Sequence, residues 1–474
     1  MKRRDAIRTI GAAALAPLAV SAIAAEQGDH KAGVTGKVKS SPQKLVLGDG
    51  FFLSMTNPIA TVDQRDMEVM TLQMLQLPEI RAAKALAAQR FKILIGPDIP
   101  EEALRNFDEV MEEWAVHYLQ LAINGDSNYP KVLHSTFGPP HEWFGMKVPG
   151  CRGPGTGENV DNNCVFIPVD GRSHFELHGK RGNPPTGDCP IHLTTNLGAS
   201  QNVDFIGVRE TKFNPDGSYV ITISPEPANG RPNHLQTTLD TRYVFIRDGR
   251  MDWRQQPSAL RIHRITPPTA PPLSHDQIVA LGARYIIDDV GPSASWRQLV
   301  AHQEINTVVT AQPSTTFGGQ FSQRLGRAHL RLDDDEAFVM TMSPGGAAYH
   351  IVVVNNFWLM SLDYWNNTST LNNTQSVPNA DGSYTYVISN RDPGVHNWID
   401  TTGLHETLIV VRWQLLPKNP DGSYGGTPWT RGRKIKLDDL EAELPEGMKR
   451  ITAEGRKQQL AERLAAFKQR YIDH

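Results

Sequence analysis

The chain has 474 residues, which is too long for one ordinary domain and predicts two or three structural units. A hydrophobic content of 39% and a charged content of 21% are typical of a globular protein and exclude a disordered one. The net charge of −3 gives no field that would attract nucleic acid or an anionic surface. The 39 glycines and 33 prolines favour many short strands joined by turns.

The first 25 residues have the features of an export signal. Arg3 and Arg4 precede the apolar run GAAALAPLAV, and residues 22–24 (AIA) supply the small side chains of a cleavage site. The run RRDAIRTIG resembles a twin-arginine signal, although Ala6 stands where such signals usually carry Phe. We therefore predict a periplasmic or secreted protein, exported by the twin-arginine or the general pathway. An uncleaved membrane anchor is the alternative, and no other segment is apolar and long enough to span a bilayer.

The region after the signal is predicted to be a polar linker, residues 26–43, followed by a helical domain, residues 44–150. Its clearest helix begins at Pro100 and has one apolar face with steps of three and four residues. The residues on that face are Leu104, Phe107, Met111, Trp114, Tyr118 and Leu121. We interpret the face as core packed against a β domain, and a ligand wall is the alternative.

A motif that occurs twice organises the rest of the chain. Residues 216–224 read DGSYVITIS, and residues 381–389 read DGSYTYVIS. Each copy continues through an Asn and a Thr-Thr pair to an apolar strand that ends in arginine, Arg247 in the first copy and Arg412 in the second. The Asp and the Arg are 31 positions apart in both copies. The repeat therefore predicts an internal duplication, with an Asp-Gly turn leading into each strand.

The predicted fold class is α+β, with a helical N-terminal region, two tandem antiparallel β-sandwich-like halves that arose by internal duplication, and a helical C-terminal tail. The first half is predicted at residues 151–265 and the second at residues 311–430. A Pro-rich linker and helices, residues 266–310, separate them, and Ser274 to Gln277 form a capping box there. Residues 431–474 are predicted to be the C-terminal helix, and a third NPDGSY, from Asn419, is predicted to be a lone turn.

The second copy, DGSYTYVISNRDPGVHNWIDTTGLHETLIVVRW, resembles the C-terminal block of the bacterial domain-of-unknown-function family 1214. That block has an Asp-Gly turn, a strand, a Pro, an Asn-Trp pair, a Thr/Gly turn and a strand that ends in Arg. The match covers residues 357–417, and the first half resembles the family more weakly, with His234 in place of Trp398. The resemblance implies a β-rich, sandwich-like fold and brings no established reaction, so it assigns no catalytic residue.

Two groups of side chains are candidates for binding a small molecule or a glycan. They are His396, Trp398, Asp400 and Arg412 in the second copy, with His405 and Glu406 nearby, and Arg247 and Trp253 in the first copy, with Asp252 nearby. An indole stacks on the apolar face of a sugar or an aromatic acid, while charged groups hold its hydroxyls or carboxylate. The alternative is that the arginines and acids pair to close each sandwich and that the tryptophans are core.

Two further patterns are candidates for a metal or a catalytic site. His174, Glu176 and His178 share one face of a strand in HFELH, which suits Zn²⁺ or Fe²⁺, but a polar outer face with Phe175 and Leu177 in the core explains the same letters. The acidic run DDDE at residues 333–336 suits a general acid/base pair or, as the alternative, a charged turn before a strand.

The three cysteines, Cys151, Cys164 and Cys189, fall in one segment and match no zinc pattern. In an oxidising compartment they would form one disulfide and leave one thiol, or remain three free thiols. The spacing alone does not decide between the two.

The sequence as a whole predicts an exported protein that binds a small molecule or glycan in a cleft of the β domain, between the two halves or at a strand end. The alternative is a cell-envelope enzyme, a hydrolase or lyase acting on a sugar or a small organic substrate. No GxSxG, HExxH, Walker or EF-hand signature occurs, and the sequence assigns no cofactor and no oligomeric state.

Overall fold

A computed structural model describes residues 45–134, 138–182, 187–195, 201–311 and 322–469. The predicted export signal, and the linker at residues 26–43, lie outside these ranges. Within the ranges, the chain is a mixed α+β protein with N-terminal helices, several antiparallel sheets and a C-terminal helix. None of the helices in them combines the length and the apolar composition that crossing a bilayer requires.

The N-terminal region contains helices α1 (Val62–Met74), α2 (Pro78–Ile95), α3 (Glu101–Arg105) and α4 (Phe107–Ile123). The Thr61 side chain caps α1 by accepting from the backbone N–H of Gln64, and proline occupies the first position of α2. The helix predicted from Pro100 is two helices, because Asn106 ends α3 and begins α4. A hairpin of β1 (His141–Trp143) and β2 (Met146–Val148) closes the region, so its last part is not helical as predicted.

The apolar face of α4 is core. Phe107, Met111, Trp114 and Tyr118 are all almost fully buried in the cluster that joins the helices to the β region. The core interpretation is therefore confirmed for the residues on α4 but is wrong for Leu104 on α3, which is 43% exposed. The Tyr118 hydroxyl also reaches a cavity that is described below.

The first sandwich consists of two four-stranded sheets. Its strands are β3 (Asn162–Pro168), β4 (Phe175–Lys180), β5 (Ile191–Thr194), β6 (Asn202–Ile206), β7 (Ser218–Ser224), β8 (His234–Gln236), β9 (Tyr243–Gly249) and β10 (Ala259–Arg264). One sheet has the order β3-β9-β5-β6 and the other β10-β4-β7-β8. Alternate apolar side chains from both sheets, such as Val165, Leu177, Ile221 and Val244, fill the space between them.

Two helices connect the sandwiches, α5 (His275–Asp288) and α6 (Val290–Ala301). The predicted capping box of α5 is present, because Ser274 and Gln277 each bond the other's backbone N–H. Helix α5 packs on α4 and the first sandwich, whereas Val300 and Ala301 of α6 pack on the second sandwich.

The second sandwich has sheets β11-β12-β18-β14-β15 and β17-β16-β13-β19. Its strands are β11 (Thr307–Ala311), β12 (Arg324–Arg331), β13 (Glu336–Ser343), β14 (Tyr349–Asn355), β15 (Thr370–Asn372), β16 (Tyr384–Ser389), β17 (Trp398–Asp400), β18 (Glu406–Gln414) and β19 (Trp429–Lys436). After them come a short 3₁₀ turn (Leu437–Asp439), α7 (Leu440–Glu443) and α8 (Ala453–Lys468). The predictions that residues 431–436 belong to a C-terminal helix and that the third NPDGSY has no strand after it are therefore wrong. The sequence WTRGRKIK is a largely exposed edge strand, so it has no apolar alternation to reveal it.

The duplication extends to the whole topology of both sandwiches. The order β3-β9-β5-β6 corresponds to β12-β18-β14-β15, and β10-β4-β7-β8 corresponds to β19-β13-β16-β17. Each half also contains the same parallel pair, β7 with β8 and β16 with β17, among otherwise antiparallel strands. The internal duplication predicted from one motif is therefore confirmed over eight strands in each half.

Candidate functional site between the two sandwich halves

The arginines that end the two duplicated strands meet between the halves. On β9, Val244 and Ile246 face the inter-sheet core, so Arg247 points out of the sandwich. The same alternation turns Arg412 outward from β18. Burial lowers the pKa of Arg247 to about 10, and the nearby positive charge of Arg412 contributes to the shift.

The groups around Arg412 are the carbonyl oxygen of Gly157, the Tyr349 hydroxyl and the Glu158 carboxylate. Its Nη2 donates to the carbonyl oxygen of Gly157, and its buried Nε has no hydrogen-bond partner among the described residues. Burial lowers its pKa, although the charges of Tyr349 and Glu158 oppose the shift. The Glu158 carboxylate accepts from the Ser361 backbone N–H at 3.1 Å and from the Thr156 hydroxyl at 2.8 Å. The two guanidinium groups therefore lie close enough to interact, with the Glu158 carboxylate as a nearby opposite charge for Arg412.

An aromatic row continues from Arg247 across the outer face of the first sandwich, and it consists of Phe166, Phe245, His192 and Phe205. Phe166 and Phe245 stack with ring centroids 4.5 Å apart, and His192 and Phe205 stack at 5.6 Å. The Arg247 guanidinium lies 4.1 Å from the centroid of the Phe245 ring. Phe166 and part of Phe245 pack in the core formed with the helices, so the exposed apolar surface of the row is on Phe245 and Phe205.

His192 is the most unusual member of this row. Its side chain is buried, with 1% of its surface exposed, and neither ring nitrogen has a hydrogen-bond partner in the described part of the chain. Burial, together with the charge of Arg247, lowers its pKa well below 6.5, so the ring is neutral. A neutral imidazole has one donor and one acceptor, and leaving both unpaired in the interior is costly. A polar molecule bound beside the ring would satisfy them.

Trp253 helps to hold the two halves together beside this site. Its indole N–H donates to Asp161 at 2.7 Å, and the same carboxylate accepts from the Tyr349 hydroxyl of β14 at 3.0 Å and from Asn372 at 2.7 Å. The Arg463 guanidinium of α8 lies 4.3 Å from the centroid of a Trp253 ring. Trp253 therefore shares the Asp161 carboxylate with Tyr349, which in turn lies near Arg412. Trp253 is buried in the interface and offers no exposed surface on which a ligand could stack.

Trp398 is also a packing residue. It lies on β17 with 7% of its surface exposed, and its indole N–H donates to Ser389 at 3.1 Å. The guanidinium of Arg456, on α8, lies 5.0 Å from its ring and is itself paired with Asp392. The C-terminal helix therefore covers the tryptophan that the sequence suggested as a ligand platform.

His396 and Asp400 share this location with Trp398 rather than with Arg412. Burial raises the pKa of Asp400 to about 6, against a 2.7 Å hydrogen bond from the Thr402 backbone N–H. Burial likewise lowers the pKa of His396, and Arg456 contributes to that shift. The six predicted site residues thus divide into two groups, one between the sandwich halves (Arg247, Trp253 and Arg412) and one under α8 (His396, Trp398 and Asp400).

The remaining candidates have ordinary structural partners. Phe175 and Leu177 face the core, as simple alternation predicts, while His178 contacts Glu176 at 3.0 Å and His174 contacts a different acid, Glu226. No set of three or more His, Cys, Asp or Glu side chains in the described ranges has a geometry suited to a metal ion.

The acidic run and the polar residues after the second motif form a surface charge network. Glu336 begins β13, and hydrogen bonds from the Asp333 backbone N–H and from Lys434 hold its pKa at about 2, against the opposing effect of burial. Glu406 binds His329 at 2.7 Å and Arg331 at 2.9 Å. The run is therefore a charged turn before a strand.

All three cysteines are free and buried, which resolves the open alternative in favour of three thiols. Burial raises the pKa of Cys164 and Cys189 to about 12, so neither is a thiolate at neutral pH. Cys164 lies directly opposite Arg247 in the pairing of β3 with β9.

The sequence indicated His192 only as a residue that, with Cys189, could complete a metal site at His174, Glu176 and His178, and it did not indicate the aromatic row. Their only local signal is alternation, since His192 lies between Ile191 and Leu193, both of which face the core. The alternation shows that His192 faces out of the sandwich. It does not show that other parts of the chain bury this outer face.

Comparison with known proteins supports the fold and gives no activity. No family model matches the chain, and no curated protein matches it. Among solved structures, the chain is similar to a putative uncharacterized protein from Burkholderia cenocepacia, with 22% sequence identity, a TM-score of 0.64, and coverage of 78% of this chain and 100% of that one. It also aligns with the VPA0106 protein from Vibrio parahaemolyticus, at 10% identity over 68% of this chain and 99% of that chain, but the TM-score of 0.33 is too low for inference. The Burkholderia structure therefore shows that the α+β fold is shared.

Proposed function

We propose that the protein binds a small organic anion with a flat apolar body in the site between the two sandwich halves. The observation that carries the proposal is the approach of Arg247 and Arg412, two guanidinium groups in a largely buried interface. Like charges in a low-dielectric environment repel each other, and a carboxylate or phosphate between them would turn that repulsion into two charge-assisted hydrogen-bonding interactions. Guanidinium groups suit such planar oxyanions because of their fork of donors.

The aromatic row supports an apolar body for the same ligand. Phe245 and Phe166 are already stacked on each other, and Phe245 and Phe205 each retain some exposed surface. His192 adds one donor and one acceptor in a neutral ring. An aromatic carboxylic acid combines the charge that the arginines require with the flat surface that the row favours.

The test is a pair of ligands that differ in charge but hardly in shape. We expect benzoate to raise the melting temperature of the purified protein more than benzyl alcohol does, because only benzoate neutralises the arginines. Arg247→Met and Arg412→Met should each weaken benzoate binding by about tenfold or more, which corresponds to about 1.4 kcal/mol. Arg324→Met is the matched control, because Arg324 is the register partner of Trp413 and lies on a different face from Arg412.

Equal stabilisation by benzoate and benzyl alcohol, or a response that survives in both arginine variants, would contradict the proposal. Stabilisation by neutral sugars alone, unaffected by either variant, would instead favour a glycan-binding protein whose site lies elsewhere.

An enzymatic role on a similar substrate is the second candidate, and His192 is the observation that favours it. A neutral imidazole without hydrogen-bond partners in the described part of the chain can donate or accept a hydrogen bond at a reacting group, and its low pKa, set by burial and the charge of Arg247, favours that role over proton abstraction. The corresponding function is a cell-envelope hydrolase or lyase. If it is correct, His192→Gln should abolish turnover of a substrate found by screening while preserving its binding, whereas equal loss of both would indicate a binding role only.

We also propose that the protein is exported to the periplasm or the cell exterior and belongs to domain-of-unknown-function family 1214. The N-terminal RRDAIRTIG pattern supports export, and the second DGSY block supports the family. Fractionation of the native host should find the mature protein outside the cytoplasm, and a chain with Arg3 and Arg4 both replaced by Lys should remain inside if the twin-arginine pathway is used.

A further inference from the structure

A second cavity, of about 540 Å³, lies between the helices and the first sandwich, and we call it the tyrosine cavity. Its wall contains Tyr118 of α4, Tyr243 of β9, Tyr285 of α5 and Asp289, the residue between α5 and α6. Tyr243 and Arg247 are four residues apart on the same strand, which is roughly 13 Å at the usual rise of a strand. The tyrosine cavity is therefore distinct from the site between the halves.

Phenol hydroxyls and one carboxyl group come together in this wall. The Tyr118 hydroxyl donates to Asp289 Oδ2, and the Tyr243 and Tyr285 hydroxyl oxygens lie 3.3 Å apart. The charge of Asp289 raises the pKa of Tyr243, after the larger effects of burial and Tyr285, so these groups form one cluster. Because phenol oxygens and a carboxylate are hydrogen-bond acceptors, the cluster is suited to a ligand that is rich in donors.

The other charges in the wall already have partners. Asp170 binds Arg264 at 2.8 Å, and Arg242 donates to the carbonyl oxygens of Leu239 and Thr241 at 2.8 and 2.9 Å. Arg284 lies 4.0 Å from Asp288.

Asp289 is the acid in this wall that has no such partner: no basic side chain in the described ranges forms an ion pair with it. Burial raises its pKa to about 6, and the neighbouring Asp288 charge adds to the shift against the hydrogen bond from Tyr118. A half-buried acid of this kind would be stabilised in its ionised form by a cation in the cavity.

We propose that the tyrosine cavity binds an organic ammonium ion, with the Asp289 carboxylate as its counter-ion and the Tyr243 and Tyr285 hydroxyls as further acceptors. An ammonium group has only donors, so it can bind the Asp289 carboxylate and the free lone pairs of the tyrosine hydroxyls. Tyrosine rings also attract cations electrostatically, which adds to the ion pair in a partly desolvated cavity. The inference does not depend on the proposed anion site.

The test compares two cations with neutral molecules of similar shape by isothermal titration calorimetry on the full chain. Choline is paired with 3,3-dimethylbutan-1-ol, and putrescine with hexane-1,6-diol. We expect at least one cation to bind about tenfold or more tightly than its neutral counterpart. Asp289→Asn keeps the size of the side chain and an acceptor for Tyr118, and it should remove that difference.

The matched control is Asp276→Asn, which makes the same charge change on an exposed residue of the same region of the chain, at the start of α5. It should leave cation binding within about twofold of the unaltered protein, and Arg412→Met should do the same. Melting curves of every variant show whether it folds, so a loss of binding in a folded Asp289→Asn protein is attributable to the lost charge.

The pH dependence gives a second readout. Cation binding should strengthen by about tenfold from about pH 5 to about pH 8, because Asp289 becomes ionised through its pKa of about 6. The other charged or titratable groups that line the cavity are Tyr118, Asp170, Arg242, Tyr243, Arg284, Tyr285 and Asp288. The proposal is overturned if neither cation binds better than its neutral counterpart, or if Asp289→Asn binds the cation as well as the unaltered chain does.

Discussion

Replacing Arg247 by methionine should stabilise the protein in a buffer without polyvalent anions. Folding lowers the pKa of Arg247 from its ordinary value to about 10, and one pKa unit corresponds to about 1.4 kcal/mol, so the charged form is disfavoured by on the order of 3 kcal/mol. Because folding lowers the pKa of this base, the folded state pays a free-energy penalty for its positive charge. The penalty is complete below about pH 10 and disappears only above the pKa of the unfolded chain. It is therefore fully present at neutral pH.

Methionine retains an unbranched chain of similar reach and removes the charge. The variant loses the contact with the Phe245 ring, which is worth about 1 kcal/mol, and loses hydrogen bonds of the guanidinium group. The expected net effect is a gain of about 1 to 2 kcal/mol in the free energy of unfolding, measured by urea titration at neutral pH. The same variant should lose the response to benzoate, so that stability and binding change in opposite directions.

A double-mutant cycle with Arg412→Met tests whether the two arginines repel each other. Either single replacement relieves the same repulsion, so the double variant should gain less stability than the sum of the two single gains. The reasoning is refuted if both single variants lose more than about 2 kcal/mol without anion, or if the double variant shows that the two side chains attract each other. Either result would mean that the arginines stabilise the interface by themselves.

Two further predictions concern the buried interior. The Glu113 carboxylate accepts hydrogen bonds from Arg152 at 2.6 and 2.8 Å, and both side chains are buried. Glu113→Gln leaves the Arg152 charge buried without its partner, so it should lower the free energy of unfolding by about 3 to 5 kcal/mol in a urea titration. A loss below about 1 kcal/mol would show that water reaches this pair. Cys164 is buried with its pKa raised to about 12, so a thiol reagent should modify it slowly in the native protein and at once in urea; rapid native labelling would contradict its burial.

The duplicated halves were predictable because their signals are local. An Asp-Gly turn, with Gly217 at a φ of 79° and Gly382 at 80°, introduces each central strand. Apolar alternation then identifies the long strands, such as β7 and β18, whose apolar residues alternate or run continuously. The three-residue strands β8 and β17 and the exposed edge strand β19 are too short or too polar for a local pattern, so their tertiary pairing alone defines them.

The burial of Trp398 and Trp253 was not predictable from nearby sequence. Arg456 and Arg463, on α8, contact the rings of these two residues from about 60 and about 210 positions further along the chain. A tryptophan beside Asp and Arg in a turn-rich segment has the composition of a binding loop, and only the position of α8 shows that it is interior. The sequence correctly identified the two arginines as equivalent positions of the repeat. It did not show that they lie close enough to interact.

The differences between the halves suggest on which side of the shared arginines the proposed ligand would lie. With Arg247 and Arg412 as equivalent positions, Phe245 corresponds to Val410, and its register partner His192 corresponds to Val353. In the second half Val410 packs against Val300 of α6, so aliphatic contact closes that face. In the first half Phe245 packs against the helical core but keeps some exposed surface, and the buried His192 has no hydrogen-bond partner in the described chain. Duplication of the strand thus explains why two arginines lie near each other. Divergence of the two halves explains why only Arg247 has a phenylalanine and a histidine beside it. An anion held by both arginines would therefore extend its body toward the first half, which makes His192 and Phe245, rather than the shared DGSY motif, the residues that determine specificity.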